Sequence, residues 1–216
     1  MTTQTVTPVP PALERLLDWI RGHTRAVTWI VGALVVGLGL FLWTLSSTRR
    51  SETIAGRQLQ GARYAFESQN LPLAASELAR IVENYSGTNA AAQGRLLLAQ
   101  VRLQQGQPQQ AVELLRDFAP GAGAAYRAQA YGLLGVAHEN LARPRDGAQA
   151  YEAGAEAARM DFLRAQLLVD AGRAWTAAGD TAKAIAAYRR VVQELPKESA
   201  VTEAKVRLGE LTKGTP

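Results

Sequence analysis

LVDAGRAWTAAGDTAKAIAAYRRVVQELP, residues 168–196, reads as two helices joined by a turn. Leu168, Ala171, Gly172 and Trp175 recur at the i, i+3, i+4, i+7 spacing of one helical face. Gly179-Asp180 interrupts, and Ala184, Ile185, Tyr188 and Val191 then form a second stripe before Pro196. Gly ends a helix by accepting a left-handed backbone, and Pro cannot continue one. Two amphipathic helices cannot bury all of their apolar surface on each other, so such a hairpin needs neighbours of its own kind.

Those neighbours are found by carrying the register outward. Gly172 aligns with Ala62, Ala99, Gly135 and Gly209, at successive spacings of 37, 36, 37 and 37 residues. Twelve residues after the first four small positions stand Ala74, Ala111, Gly147 and Ala184, and four further on stand Leu78, Leu115, Tyr151 and Tyr188. A break lies inside each unit: Asn70-Leu71-Pro72, Gly106-Gln107-Pro108, Arg143-Pro144 and Gly179-Asp180. In the second unit the later helix is expected to carry Ala111, Leu114, Leu115 and Phe118 on one face. A fixed period of this length signals a repeat architecture. The expected fold is all-α, with about four helix hairpins stacked as a solenoid over 46–216. Composition agrees, because with 6% aromatics and no alternating β-branched run the core must be Ala, Leu and Val on helices. After Pro196, KESAVTEAKVRLGELTKG (197–214) restarts the pattern with no second helix before Pro216. It reads as a capping helix: Ala204, Leu208 and Leu211 face Trp175 and Tyr188, and Lys197, Glu203, Lys205 and Arg207 supply a polar outer side.

The last unit resembles a tetratricopeptide repeat at Leu168, Ala171, Gly172, Trp175, Ala184, Tyr188, Val191 and Pro196. The third resembles it through Tyr131, Leu134, Gly135, Gly147 and Tyr151, whereas the first two keep the small residues and the Ala–Leu pair but lack the first-helix aromatic. The closing proline appears once, with Ser86, Gly123 and Arg159 in its place elsewhere, and the period exceeds the family's usual length. The resemblance covers roughly 52–214.

The N-terminal part has another character. Residues 1–25 read as a Thr- and Pro-rich tail followed by a short amphipathic helix bearing Leu13, Leu16, Leu17 and Ile20. From 26 to 45 the chain reads AVTWIVGALVVGLGLFLWTL, twenty residues without a charge. At about 1.5 Å per residue this matches a bilayer's hydrocarbon thickness of about 30 Å, with Trp29 and Trp43 near the ends. A cleaved signal peptide fits less well, because 25 residues precede the run and no small-x-small site follows it. The expectation is an uncleaved, single-pass transmembrane helix over 26–45. Arg15, Arg21 and Arg25 on one side, against Arg49, Arg50, Arg57 and Arg63 on the other, leave its orientation open.

The layout of short N-terminus, one span and repeat domain resembles the ancillary subunit of the bacterial Sec translocon, whose repeats are similar to those of the Tol-Pal cell-division coordinator. LAASELARIVENYS (73–86) and AAQGRLLLAQVRLQQGQPQQAVELL (91–115) carry that likeness. It implies an inner-membrane protein with a periplasmic C-terminal domain that binds translocon subunits, chaperones or unfolded peptide segments.

Catalytic chemistry has little to stand on. There is no Cys, and His23 and His138 lie 115 residues apart, too far for a local metal-ligand motif. His138 reads as a packing residue and His23 as one at the membrane flank. Gly121-Ala122-Gly123 lacks a phosphate-loop lysine and reads as a turn. Neither enzyme activity nor a cofactor is expected. The 24 basic and 19 acidic residues are interleaved, which argues against a nucleic-acid surface despite the net charge of +5. What remains is a protein-binding adaptor. The resemblance implies a groove lined by the first helix of each hairpin, which maps to Arg63, Gln93, Gln100, Gln104, Gln129, Glu139, Asn140, Gln166 and Arg173. The alternative is a homo-oligomeric scaffold of the cell envelope, serving division or cytochrome maturation.

Overall fold

The computed structural model describes residues 24–213, so residues 1–23 of the tail and short helix expected over 1–25, with His23, lie outside the described residues. Ten helices follow one another among the described residues: α1 Thr24–Glu67, α2 Leu71–Asn84, α3 Asn89–Gln104, α4 Pro108–Arg116, α5 Phe118–Gly121, α6 Arg127–Asn140, α7 Pro144–Ala157, α8 Asp161–Ala177, α9 Thr181–Glu194 and α10 Ala200–Thr212. The chain divides into two compact units, Met1–Arg50 and Ser51–Pro216.

In the first unit, residues 24–50 are helical, with Trp29, Val36 and Leu38 exposed. The transmembrane helix expected over 26–45 is corrected here. Among the described residues no helix is long and apolar enough to cross a membrane. The uncharged run is not a helix of its own but the front of α1, which continues to Glu67 through Arg49, Arg50, Glu52 and Arg57. Among the described residues the fold is therefore an all-α repeat solenoid in which no helix is long and apolar enough to be a membrane span.

The second unit is built of hairpins. First helices are the part of α1 from Ser51 onward, α3, α6 and α8; second helices are α2, α4 with the short α5, α7 and α9. Each second helix packs against the first helix of the next hairpin, in the pairs α2–α3, α4–α6, α7–α8 and α9–α10. First helices also touch one another directly, α3 to α6, α6 to α8 and α8 to α10, which aligns them along one face. The core is Ala, Leu and Val, with Ile81 and three large aromatics, Trp175, Tyr151 and Tyr188, all fully buried.

The register of small and large residues has a direct steric meaning. A Cβ on Gly135 would lie 2.5 Å from the Tyr151 ring, and one on Gly172 would lie 2.6 Å from the Tyr188 ring. Each tyrosine lies flat on bare backbone of its partner helix. Gly147 completes the approach, since its Cβ would sit 3.1 Å from the Gly135 carbonyl oxygen. In the first two hairpins the pairs are Ala62 with Leu78 and Ala99 with Leu115, every one of these side chains 0% exposed. A glycine accompanies the larger ring and an alanine the smaller branched chain.

The turns repeat as faithfully as the core. Gln69, Gly106, Ala142 and Gly179 all have positive φ, between 54° and 77°, at the end of each first helix. Each turn closes with paired backbone bonds: the Gly179 N–H donates to the Thr176 carbonyl, and the Asp180 N–H to that of Trp175. These are Schellman closures, which satisfy carbonyls left over at a helix end. Asn70 and Asp180 then cap α2 and α9, accepting from the Leu73 and Lys183 N–H groups. The α3 terminus has two caps, Thr88 from its own chain end and the Glu52 carboxylate, which accepts from the Asn89 and Ala90 N–H groups at 2.8 and 2.9 Å.

One helix departs from expectation. The stripe of Ala111, Leu114, Leu115 and Phe118 does not run on one helix, because α4 stops at Arg116 and Phe118 begins α5. Downstream, α10 packs into the terminal cluster through buried Val201 and Ala204 and half-buried Leu208 and Leu211.

Candidate functional site

The exposed face of the first helices carries open cavities, and the expected groove residues divide among them. Arg63, Gln93, Gln100 and Gln129 come together around a cavity of about 520 Å³, with Phe66, Leu96, Leu97 and Tyr126 as its apolar wall. Gln100 and Gln129 also border a second cavity of about 320 Å³, where Gln166 joins them over Leu133, Leu163 and Leu167. A third, of about 290 Å³, has Arg173 beside Thr176, Tyr188, Arg207 and Leu211. Glu139 lies under Arg173 in an ionic network. Gln104 and Asn140 stand at the last positions of α3 and α6, exposed and outside the lining of these three cavities.

Two polar constructions stiffen this face. In the first, an Arg63 guanidinium nitrogen donates to Gln93 Oε1 at 2.6 Å, and Gln93 Nε2 donates to the Tyr126 hydroxyl at 3.0 Å. One residue from each of three successive hairpins is thereby linked, with the Gln93 carboxamide held at both ends. In the second, Glu139 of α6 accepts from Arg173 of α8 through both oxygens, at 2.7 and 3.1 Å, and from the Tyr151 hydroxyl of α7 at 2.7 Å. Arg173 also donates to Asp170 at 3.2 Å.

Electrostatics follow from these contacts. Burial, with the Glu139 carboxylate accepting from its hydroxyl, pushes Tyr151 well above the usual phenol range. Burial also raises Asp170, against the opposing pull of Arg173. Burial works against the charge of Arg173, but Glu139 and Asp170 outweigh it and hold the guanidinium protonated. His138 is pushed down by burial, and its Nδ1 is enclosed without a hydrogen-bond partner among the described residues. That neutral imidazole is a packing group. Among the described residues no cluster of three or more His, Cys, Asp or Glu side chains could hold a metal ion. The site offers amide, hydroxyl and apolar contacts, with Arg173 neutralised by Glu139 and Asp170.

Several lining residues were not singled out from the sequence: Tyr126, Leu96, Leu133, Leu163, Leu167 and Asp170. The repeat register held the signal for some of them. Leu97, Leu133 and Asp170 each lie two positions before the small residue of their unit, and the first two carry that column's apolar lining. Tyr126 carries no such signal, since it precedes α6 in the turn that follows Gly123, outside the aligned columns of the repeat.

Comparison with known proteins bears on the last hairpin and on the architecture. A tetratricopeptide repeat model matches residues 166–197. No curated protein matches the chain in sequence. Among solved structures, the nearly identical TPR-like repeats of a Podosopora anserina protein assigned as a kinesin light chain superpose with a TM-score of 0.59 at 18% identity, over 76% of this chain and 87% of that one. MamA superposes with a TM-score of 0.57 at 19% identity, over 71% and 83% of the two chains. At such identities the likeness is one of fold. The chain carries a tetratricopeptide repeat at its last hairpin, within a TPR-like all-α solenoid.

Proposed function

We propose that the repeat unit is a protein-interaction adaptor whose first-helix face receives a segment of a partner protein. The observation that supports this reading is the cavity of about 520 Å³ that joins amide and hydroxyl groups from three hairpins to an apolar wall. A mostly apolar concavity with a few fixed polar groups is the usual form of a binding site. Repeats of this kind are generally protein–protein interaction modules, and the partner is accordingly a polypeptide. A photo-crosslinking amino acid at position 100 or 129 should couple to a partner, whereas the same probe at exposed second-helix positions 109 or 193 should not. Equal coupling from both faces would end the groove reading.

The finer identity of the partner rests on the likeness of 73–86 and 91–115 to the repeats of the ancillary Sec translocon subunit. On that basis we place 46–216 in the bacterial periplasm, with translocon subunits or periplasmic chaperones as partners. Protease should then reach the repeat unit as soon as the outer membrane is opened, and the product crosslinked from position 100 should contain such a subunit or chaperone. Protection of the repeat unit until the inner membrane is opened would overturn this placement.

A further inference from the structure

The two ends of the repeat unit carry the two halves of its own packing rule. Inside the third and fourth hairpins a tyrosine ring lies on a bare glycine, Tyr151 on Gly135 and Tyr188 on Gly172, so close that a Cβ would sit 2.5 and 2.6 Å from the ring. The same column holds Gly209 in α10. Gly209 is exposed, and outside its own helix nothing among the described residues lies within 4 Å of where its Cβ would be. Glycine inside a helix weakens it relative to alanine. No described contact asks for glycine at 209, since an alanine would fit. The seat for a ring is built, and it is empty.

At the other end, Tyr64 of α1 is 74% exposed, and Gly61 beside it is exposed as well. The same two columns are buried in the next three first helices, as Leu98 and Val101 in α3, Leu134 and Ala137 in α6, and Ala171 and Ala174 in α8. Each of these pairs shares a core cluster with the preceding second helix. On α1 that face is open, and an aromatic ring stands in water.

We propose that Tyr64 of one copy seats on Gly209 of a second copy, so that repeat units stack head to tail. The proposal is independent of the adaptor reading, because neither Tyr64 nor Gly209 lines any of the three cavities. Ring on bare glycine is the contact this chain already makes twice internally. Charge fixes the direction. The two helices of a hairpin run antiparallel, so one turn forward on one meets one turn back on the other. With Tyr64 over Gly209 in that sense, Glu67 faces Lys205 of the second copy. Neither Glu67 nor Lys205 has an ion-pair partner among the described residues. Exposed Val206 lies beside the seat and adds an apolar flank for the ring. The two surfaces differ, so the contact is heterologous and passes from copy to copy as a chain or a ring. One helix pair falls short of the roughly 1,200 Å² of a stable complex, so the assembly dissociates on dilution.

Sedimentation velocity of the full chain over a concentration series is the test, and dilution-sensitive self-association is the expected result. Gly209→Ala should lower the association constant about tenfold or more by overpacking the seat. The circular-dichroism melt of that variant should stay in place or rise. Tyr64→Ala should weaken association equally. Adding Tyr64→Leu to Gly209→Ala should recover it, since alanine with leucine is the pair of the first two hairpins. Glu67→Lys and Lys205→Glu should each weaken association, and the two together should restore it. Mixing decides the geometry: Tyr64→Ala chains keep the seat and Gly209→Ala chains keep the ring, so together they should form one-to-one dimers that grow no further. Self-association that ignores both variants, or a mixture without such dimers, overturns the proposal. So does an unaltered chain that stays monomeric throughout the series. A Gly209→Ala chain that melts lower would show that the glycine serves its own fold, and would overturn it too.

Discussion

Gly172 and Tyr188 show how much of this protein is decided by single contacts. An alanine methyl at 172 would sit 2.6 Å from the ring that is 2% exposed beneath it. Overpacking of this kind typically costs about 1–3 kcal/mol. Gly172→Ala should therefore lower the melting temperature by several degrees, at about 2–4 °C per kcal/mol for a unit of this size. The first two hairpins supply the remedy, because alanine there is paired with leucine. Gly172→Ala combined with Tyr188→Leu should recover part of the loss, giving a coupling of about 1 kcal/mol or more in a double-mutant cycle. Strictly additive losses in thermal melts would show that the pair is not a steric unit. This pairing was legible in the sequence as a small residue followed sixteen positions later by a large one. The bonds from Glu139 to Tyr151 and Arg173 were not, since charged residues on a helix look alike until packing brings two hairpins within 2.7 Å.

At the scale of elements, the turns were foretold by Gly and Pro, yet their common geometry was not. Positions 106 and 179 hold glycine, whereas 69 and 142 hold Gln and Ala in the same left-handed conformation. A side chain there costs about 1–2 kcal/mol of local strain, part of which glycine gives back as unfolded-state entropy. Ala142→Gly should thus stabilise the unit by about 0.5–1 kcal/mol, and Gly179→Ala should destabilise it by a similar amount. Chemical denaturation reads both, and opposite signs at the two positions are required. Two substitutions that both destabilise would mean that the turn is held by something other than its backbone. The misjudged element is α4. Pro120 lacks an N–H and its ring collides with the carbonyl four residues back, at Arg116, where α4 ends. Apolar spacing through Phe118 concealed that stop, although the proline was in view.

For the whole molecule, local windows are the weakest guide. A run of twenty uncharged residues read alone suggests a bilayer span, but in the structure it is part of the 44-residue α1, which goes on through charged positions. For the C-terminal helix the repeat register suggests a cap, a reading that a truncation tests. Stacked repeats bury each hairpin on the next, so the fourth hairpin exposes apolar surface unless something packs on it. Helix α10 buries Val201 and Ala204, packs Leu208 and Leu211 into the cluster of Trp175 and Tyr188, and turns Glu203, Lys205 and Arg207 outward. Full burial of a side chain such as valine is worth about 1.5–3 kcal/mol, and the half-buried leucines add a share of that. Against a total stability of about 5–15 kcal/mol the loss is large. A chain ending at Lys197 should melt about 10 °C lower. It should also self-associate, since Leu195 and the flank of α9 would be bared to water. Circular dichroism and light scattering on the truncated and full chains measure both effects. A truncated chain that stays monomeric with an unchanged melting temperature would show that the fourth hairpin closes the solenoid by itself, and that α10 is free to bind something else.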